Sequence, residues 1–136
     1  MVGKINLKMC YDADASMILK VSLMEKFGAI KDYWTPRIAA ELNGQYLKLV
    51  KVKGEFLWHK HDNEDELFLV VKGKLEIHLR DQVVTLNDND FLVVPKDVEH
   101  KPVAAKEVLV ILLEPKSTVN TGDKVDERTI KENSWI

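Results

Sequence analysis

Alternation of apolar and polar positions dominates the middle of the chain and predicts a series of short β-strands. Between Tyr46 and Lys53 every second residue falls on one side, so that Val50 and Val52 share a face. The dipeptide Asn43-Gly44, just before this run, is typical of a two-residue hairpin turn. The predicted strands span residues 37–42, 46–53, 55–61, 66–72, 74–80, 83–86, 91–94, 98–103 and 107–113. About nine short strands with frequent turns indicate a closed or double-sheet all-β fold.

A helical period precedes the strands. Apolar residues recur there at intervals of three and four, which predicts one apolar helical face: Met17, Ile18, Val21, Met24 and Phe27. Asp12 or Asp14 is the expected N-cap, and Gly28 is expected to end the helix. We expect this face to pack on the body of the protein or on a second subunit, in preference to a membrane.

These patterns divide the chain into three parts. Residues 1–34 are predicted to form an N-terminal extension that carries the short helix, residues 35–114 a β-barrel, and residues 115–136 a C-terminal tail. Trp135 and Ile136 are the last residues of the polar tail. A tryptophan is unusual at the end of a tail that does not pack on the rest of the protein. We therefore expect the tail to dock on the barrel.

Composition and charge narrow the class of protein. The 136 residues suffice for one domain with a core, and the net charge of −2 without a basic block argues against a nucleic-acid partner. The longest apolar runs are about five residues, too short to span a bilayer. The N-terminus lacks the apolar segment of a signal peptide, and Cys10 is the single cysteine, which precludes an internal disulfide. A cytoplasmic protein that binds a small molecule is the expectation.

Three histidines and one glutamate are candidates for metal chemistry. On an extended segment, His59 and His61 project to the same side, about 6–7 Å apart. Glu66 follows a turn, after which the alternation of side chains between the two faces of the sheet starts anew, so it can face the two histidines. His100 comes after a further hairpin. Three neutral imidazoles and one carboxylate suit a divalent first-row ion: Mn, Fe, Ni or Zn. The pattern does not choose among these metals.

Other residues of the same types have plainer interpretations. His78 lies among charged residues on its strand and is predicted to be solvated, as are the rival carboxylates Glu64 and Asp65. Trp58 points away from both neighbouring histidines and is expected in the core or an interface. Four residues are weaker candidates for groups that line a cavity: Gln45, Tyr46, Lys48 and His78. A barrel without metal, in which the histidines merely pair with acids, is the remaining alternative.

Residues 54–104 resemble the two motifs of the cupin superfamily. The first motif reads G-x5-HxH-x3,4-E-x6-G. This chain has Gly54, four residues, His59-Lys60-His61, four residues, Glu66, six residues and Gly73. It therefore matches the motif with one residue fewer after the first glycine.

The second motif, G-x5-PxG-x2-H-x3-N, is matched at Pro95 and His100. Asn89 and Asp97 stand where the motif has glycines, and both residue types tolerate left-handed backbone conformations better than most. Ala104 replaces the final asparagine. These departures affect the turns, whereas the ligand positions are retained.

The resemblance implies a jelly-roll β-barrel with His59, His61, Glu66 and His100 as metal ligands inside it. The chain also looks like small single-domain bacterial cupins, which are loosely similar to mannose-6-phosphate isomerase. Such proteins often form homodimers. The implied function is a metal-dependent enzyme on a small polar or anionic molecule, of isomerase or dioxygenase type. The alternative is a non-catalytic module that binds a small ligand or a metal, since no nucleophile or general base is identifiable.

Overall fold

The computed structural model describes residues 18–136, so the predictions for Cys10, Asp12, Asp14 and Met17 lie outside the described residues. Its elements are helix α1 (Leu23–Ala29) and strands β1 (Arg37–Leu42), β2 (Gln45–Glu55), β3 (Glu66–Lys72), β4 (Leu75–Leu79), β5 (Val83–Leu86), β6 (Phe91–Val94) and β7 (His100–Pro115). The fold is an all-β jelly-roll barrel with one short helix in the described part of the chain.

Strand β7 pairs with three other strands of the single seven-stranded sheet. Its first half pairs with β4, which in turn pairs with β5, and its second half lies between β2 and β3. The main path through the sheet has the order β1-β2-β7-β3-β6, with antiparallel neighbours throughout. The sequence predicted two strands at 98–103 and 107–113, which was wrong. One long strand is observed instead, and its pairing with β2 shifts register between Val52 and Gly54, an irregularity that bends the strands.

The predicted strand at 55–61 is also wrong. Gly54 has a positive φ of 86°, and β2 ends one residue later at Glu55. Beyond it, His59 makes an isolated bridge to His100 and the remaining residues form no regular ladder. The histidine pair is therefore presented by an irregular segment that is fixed at one point, and seven strands are observed in place of about nine.

Both faces of β2 are covered, although each for a different reason. Val50 and Val52 point into the barrel and join the main core with residues such as Phe68 and Val110. Leu49 points outward, yet it is fully buried because Phe27 of α1 packs over it. The helix thus supplies an outer cover for an amphipathic sheet.

The helix is shorter than its sequence pattern predicts. Ile18 is 97% exposed and precedes the helix, which begins at Leu23 and continues through Gly28 to Ala29. Only the second half of the predicted face, around Phe27, packs on the barrel. No helix within residues 18–136 has the length and apolar character needed to cross a membrane.

Left-handed residues close the turns where the sequence predicts them. Asn43 and Gly44 have φ values of 50° and 78°, the signature of a type I′ hairpin between β1 and β2. Asn89 and Asp97 have φ values of 68° and 69°, which confirms that they replace glycines in the left-handed conformation. At the far end of the chain, Ile38 of β1 forms a parallel bridge with Trp135, so the last residues lie along the edge of the sheet.

Candidate metal centre

Three imidazoles and one carboxylate meet inside the barrel. His59, His61, Glu66 and His100 each offer one ligand atom, and these atoms all lie within 4.8 Å of one another. All four side chains are buried, with at most 4% of any residue exposed. The structure therefore brings together every residue that the sequence proposed as a metal ligand, and the cluster has the composition of a metal site.

Backbone hydrogen bonds fix the positions of the histidines. The amide of His59 donates to the carbonyl of His100 at 3.1 Å, and the amide of His100 donates to the carbonyl of His59 at 2.9 Å. The carbonyl of His61 accepts from the amide of Asp97 at 2.7 Å. Glu66 and His100 are the first residues of β3 and β7. The site therefore lies where the starts of two strands meet the hydrogen-bonded loop that carries His59 and His61.

The hydrogen bonds of two imidazoles also select their tautomer. The Nδ1 atoms of His59 and His100 each lie 2.9 Å from a backbone carbonyl, of Leu57 and Val98 respectively. A carbonyl only accepts, so each Nδ1 carries the hydrogen and each Nε2 keeps a free lone pair. This is the arrangement found around metal-binding histidines.

Several buried polar atoms of the cluster have no hydrogen-bond partner among the described residues. They include both ring nitrogens of His61, Nε2 of His100 and Oε1 of Glu66. The two Nε2 atoms each lie 3.4 Å from that Glu66 oxygen, too far for a good hydrogen bond. Buried polar atoms are normally satisfied, so the donor set fits a divalent cation at the centre of the cluster.

Electrostatics favours the protonation states that a metal needs at His59 and Glu66, but not at His61. Burial, together with a smaller contribution from the nearby His100, lowers the pKa of His59 to about 4, so His59 is neutral near pH 7. Burial opposes ionisation of Glu66, but its close polar contacts with Glu114, His100 and His61 hold its pKa well below the usual value. For His61 burial lowers the pKa, but the close approach and charge of Glu66 outweigh it and raise the pKa overall.

A buried ion pair adjoins the cluster. Nζ of Lys48 lies 2.8 Å from Oε1 of Glu114, and both side chains are 2% exposed. Leu67 of β3 pairs with Leu113 of β7, which places Glu66 opposite Glu114. Burial and the charge of Glu66 raise the pKa of Glu114 well above its usual value.

The sequence identified Lys48 as a cavity candidate but missed Glu114. It assigned Glu114 to the boundary of the tail because the last strand was predicted to end at Leu113. The strand in fact continues to Pro115. The alternation of Val110, Leu112 and Glu114 was the available signal, since all three face inward.

A cavity of about 40 Å³ opens beside the ligands. Its walls are mostly apolar and include Val50, Phe68 and Leu112. Its polar lining residues are His59, Glu66, Glu114 and Asn120. One water needs roughly 10–15 Å³ by this measure, so the space suits a molecule of few heavy atoms.

The other candidates lie elsewhere. Gln45 is exposed, and the ring of Tyr46 packs edge-on against Trp135 at 5.9 Å. Nε2 of His78 lies 3.0 Å from Glu76 on the same strand, so this histidine is outside the cluster. The ring of Trp58 packs under the guanidinium of Arg80 at 3.8 Å.

The C-terminal tail clamps the segment between the first two histidines. The amide of Lys60 donates to Oδ1 of Asp123 at 3.0 Å, and the amide of Asp123 donates to the carbonyl of Lys60 at 2.9 Å. Gly122 has a φ of 58°, and a Cβ added there would overlap severely with that carbonyl oxygen. Local sequence patterns gave no sign of this contact, because its partners are more than sixty residues apart.

Comparisons with known proteins agree on the family. The sequence pattern of the cupin domain matches residues 46–114. A solved cupin-2 domain containing protein from Shewanella frigidimarina is 45% identical, with a TM-score of 0.70, over 71% of this chain and 94% of that chain. A solved protein from Neisseria meningitidis is 30% identical, with a TM-score of 0.67, over 72% of this chain and 100% of that chain.

A curated relative matches over a shorter stretch. Protein YdbB of Bacillus subtilis is 38% identical over 63 residues, which are 46% of this chain and 56% of that protein. The chain thus spans little more than half the length of this relative. The matched domain covers half of the chain, and the Shewanella frigidimarina structure aligns over nearly its whole length. Together with the barrel and its buried histidines, these matches establish that the chain belongs to the cupin family.

Proposed function

We propose that this protein binds a divalent first-row metal ion through His59, His61, Glu66 and His100, and that it is a metal-dependent enzyme acting on a small polar or anionic molecule. The observation that carries the proposal is the set of buried ligand atoms without hydrogen-bond partners. Leaving one such atom unsatisfied costs about 1–3 kcal/mol, and a bound cation would satisfy Oε1 of Glu66, Nε2 of His100 and one ring nitrogen of His61 together.

The chain's own residues prepare the site for such chemistry. Burial keeps His59 neutral, and the carbonyls of Leu57 and Val98 orient two rings with Nε2 toward the centre. The apolar walls of the cavity exclude bulk water and so strengthen electrostatic interactions inside it. A bound Mn, Fe, Ni or Zn ion would supply Lewis-acid polarisation of substrate oxygens. Isomerase or dioxygenase chemistry is the reaction type we propose.

The small size of the cavity favours one alternative function. A space of about 40 Å³ with mostly apolar walls suits a retained small ligand as well as a substrate. In that case the protein would be a non-catalytic module that binds a metal or a small ligand. Both functions would use the same four ligands, so an activity assay is needed to distinguish the enzyme from the binding module.

Metal content is the first test of this proposal. Protein purified without chelator is expected to contain about one first-row ion per chain by inductively coupled plasma mass spectrometry. Removal of the ion should lower the melting temperature, because a ligand that binds only the folded state stabilises it. Protein without stoichiometric metal, even after incubation with each candidate ion, would contradict the proposed metal site.

Turnover then distinguishes the enzyme from the binding module. Each metal-loaded form is assayed for oxygen uptake and for isomerisation of sugar phosphates. Turnover that depends on one metal and disappears with chelator supports the enzyme. Tight binding of one ligand class, without turnover in any metal form, supports the module.

An exposed apolar patch supports a homodimer as part of the proposal. Phe91 and Val93 of edge strand β6 are 61% and 49% exposed. They pair with Leu69 and Leu67 of β3, so the four residues lie on one outer face. Exposed apolar patches mark interaction sites, and we propose a second copy of this chain as the partner.

Light scattering after size exclusion tests the dimer. We expect twice the 15.6 kDa mass of one chain. Phe91→Lys should yield monomers, because a charge would be buried in the interface. Val83→Lys, at a similarly exposed position on β5, should remain dimeric. A wild-type mass of one chain would exclude the dimer.

A further inference from the structure

The cavity beside the ligands opens to solvent near Trp34 and Asn120. Among the described residues that line it, only these two are partly exposed, and the others are buried. A molecule that enters from solvent must therefore pass one or both of these side chains. Asn120 is held within the tail, because its side-chain amide donates to the carbonyl of Arg128 at 2.8 Å and its Oδ1 accepts from the amide of Ile130 at 2.8 Å.

The backbone of Trp34 has a conformation that a large side chain rarely adopts. Its φ is 61°. The other non-glycine residues with a positive φ in the described part of the chain are of types that tolerate it: Asn43, Asn89 and Asp97. Strained backbone of this kind persists only where the surrounding contacts fix it, and it is found most often at functional sites.

Such contacts hold the indole ring of Trp34 at the mouth of the cavity. The amide of Trp34 donates to the carbonyl of Lys51 at 2.8 Å, and its Nε1 donates to the carbonyl of Lys53 at 2.8 Å. The ring stacks on Phe56 with centroids 5.0 Å apart, and Phe56 packs edge-on against His59 at 5.4 Å. The indole cannot swing aside without breaking these contacts, so it forms a fixed wall of the cavity.

We infer that Trp34 sets the size of the molecule that can reach the cluster of three histidines and one glutamate. As a determinant of substrate choice, this role rests on the proposed function. The cavity of about 40 Å³ has room for few heavy atoms, and the indole ring closes it on the side toward solvent. Removing the ring should widen the mouth and leave the cluster in place, because the backbone bonds between His59 and His100 do not involve residue 34.

Two variants remove the ring and respect the backbone. Glycine adopts a φ of 61° freely, so Trp34→Gly removes the indole without adding strain. Asparagine also tolerates this φ, and Trp34→Asn gives a second reading if the glycine variant does not fold. Trp58→Ala is the matched control, because it removes an indole that packs under Arg80 and is not among the residues that line the cavity.

Formate and benzoate are the probes of size, since both bind metal ions through a carboxylate. Each is titrated into Co(II)-loaded protein while the visible absorption of the cobalt is recorded. Forcing a group into filled space costs affinity, so the wild type is expected to bind benzoate at least about tenfold more weakly than formate. The Trp34 variants should bind benzoate about tenfold more tightly than the wild type does, with formate affinity nearly unchanged. Trp58→Ala should bind both probes as the wild type does.

Chemical modification tests the same mouth without metal. Diethyl pyrocarbonate acylates neutral imidazoles, and peptide mass spectrometry measures the rate at each histidine of the metal-free protein. His59 lines the cavity, whereas the side chain of His78 is 29% exposed outside it. We expect His59 to react several times faster in both Trp34 variants than in the wild type, and His78 to react equally in all of them.

Failure of this inference is distinguishable from failure of the proposed function. If the protein binds Co(II) but the Trp34 variants exclude benzoate as the wild type does, the role of Trp34 is disproved and the metal site stands. Equal modification of His59 in the wild type and in the variants disproves that role whether or not metal binds. If no Co(II) binds, the proposed function fails, and faster modification of His59 in the variants still supports Trp34 as the barrier at the mouth.

Discussion

Replacing His61 with alanine is expected to lower metal content from about one ion per chain to well below half. Both ring nitrogens of His61 are buried without a hydrogen-bond partner among the described residues. Its Nε2 lies 3.4 Å from the Glu66 oxygen that also faces His100. Removing this ring deletes one of four converging ligands and opens a void beside the remaining three. Mass spectrometry of protein purified in parallel with the wild type measures the loss.

His78→Ala is the matched control for this variant. It removes an imidazole of the same type from the same barrel, but that ring interacts with Glu76 and is outside the cluster. Its metal content should equal that of the wild type. Equal metal content in His61→Ala and the wild type would remove His61 from the ligand set.

Gly122→Ala is expected to destabilise the protein by about 2–4 kcal/mol, which corresponds to a loss of roughly 10 °C in melting temperature. The added methyl group would overlap with the carbonyl of Lys60, a backbone atom that cannot rotate away. The φ of 58° adds about 1–2 kcal/mol for any residue with a Cβ. Since Lys60 lies between His59 and His61, metal affinity should fall as well. Thermal unfolding and metal titration measure the two effects.

Gly28→Ala provides the contrast at a second glycine. An added Cβ there would meet nothing within 4 Å. Gly28 lies within helix α1, where alanine is favoured over glycine by about 0.5–1 kcal/mol. The melting temperature should therefore stay the same or rise slightly. A similar loss in both variants would show that the contact between Gly122 and Lys60 is not the cause.

Much of the fold follows from local sequence patterns. Six predicted strands coincide with β1, β3, β4, β5, β6 and most of β2, because one face of each is buried and the alternation survives in the sequence. The patterns failed where tertiary pairing decides the outcome. Residues 55–61 alternate as a strand would, but beyond Glu55 they form no continuous ladder, and His59 makes an isolated bridge to His100.

The four candidate ligand positions were predictable because the spacing of the histidines and the glutamate along the chain matches the two sequence motifs. The four side chains do converge, but for a partly different reason than predicted, since His59 and His61 do not share a regular strand. Their rings converge with centroids 5.1 Å apart through contacts with residues 97–100. Glu114 and the clamp by Gly122 and Asp123 depend on contacts between distant parts of the chain. No periodicity encodes such contacts.

The two kinds of backbone bond along the histidine segment imply that it opens in steps. The amide of Lys60 is held by a side chain of the tail, whereas the amide of His59 is held by the backbone of β7. Detachment of the tail therefore releases Lys60 while His59 stays paired, and separation of β7 from the loop is a larger event. We therefore expect Lys60 and His59 to open in different events of local unfolding, although they are adjacent in the chain.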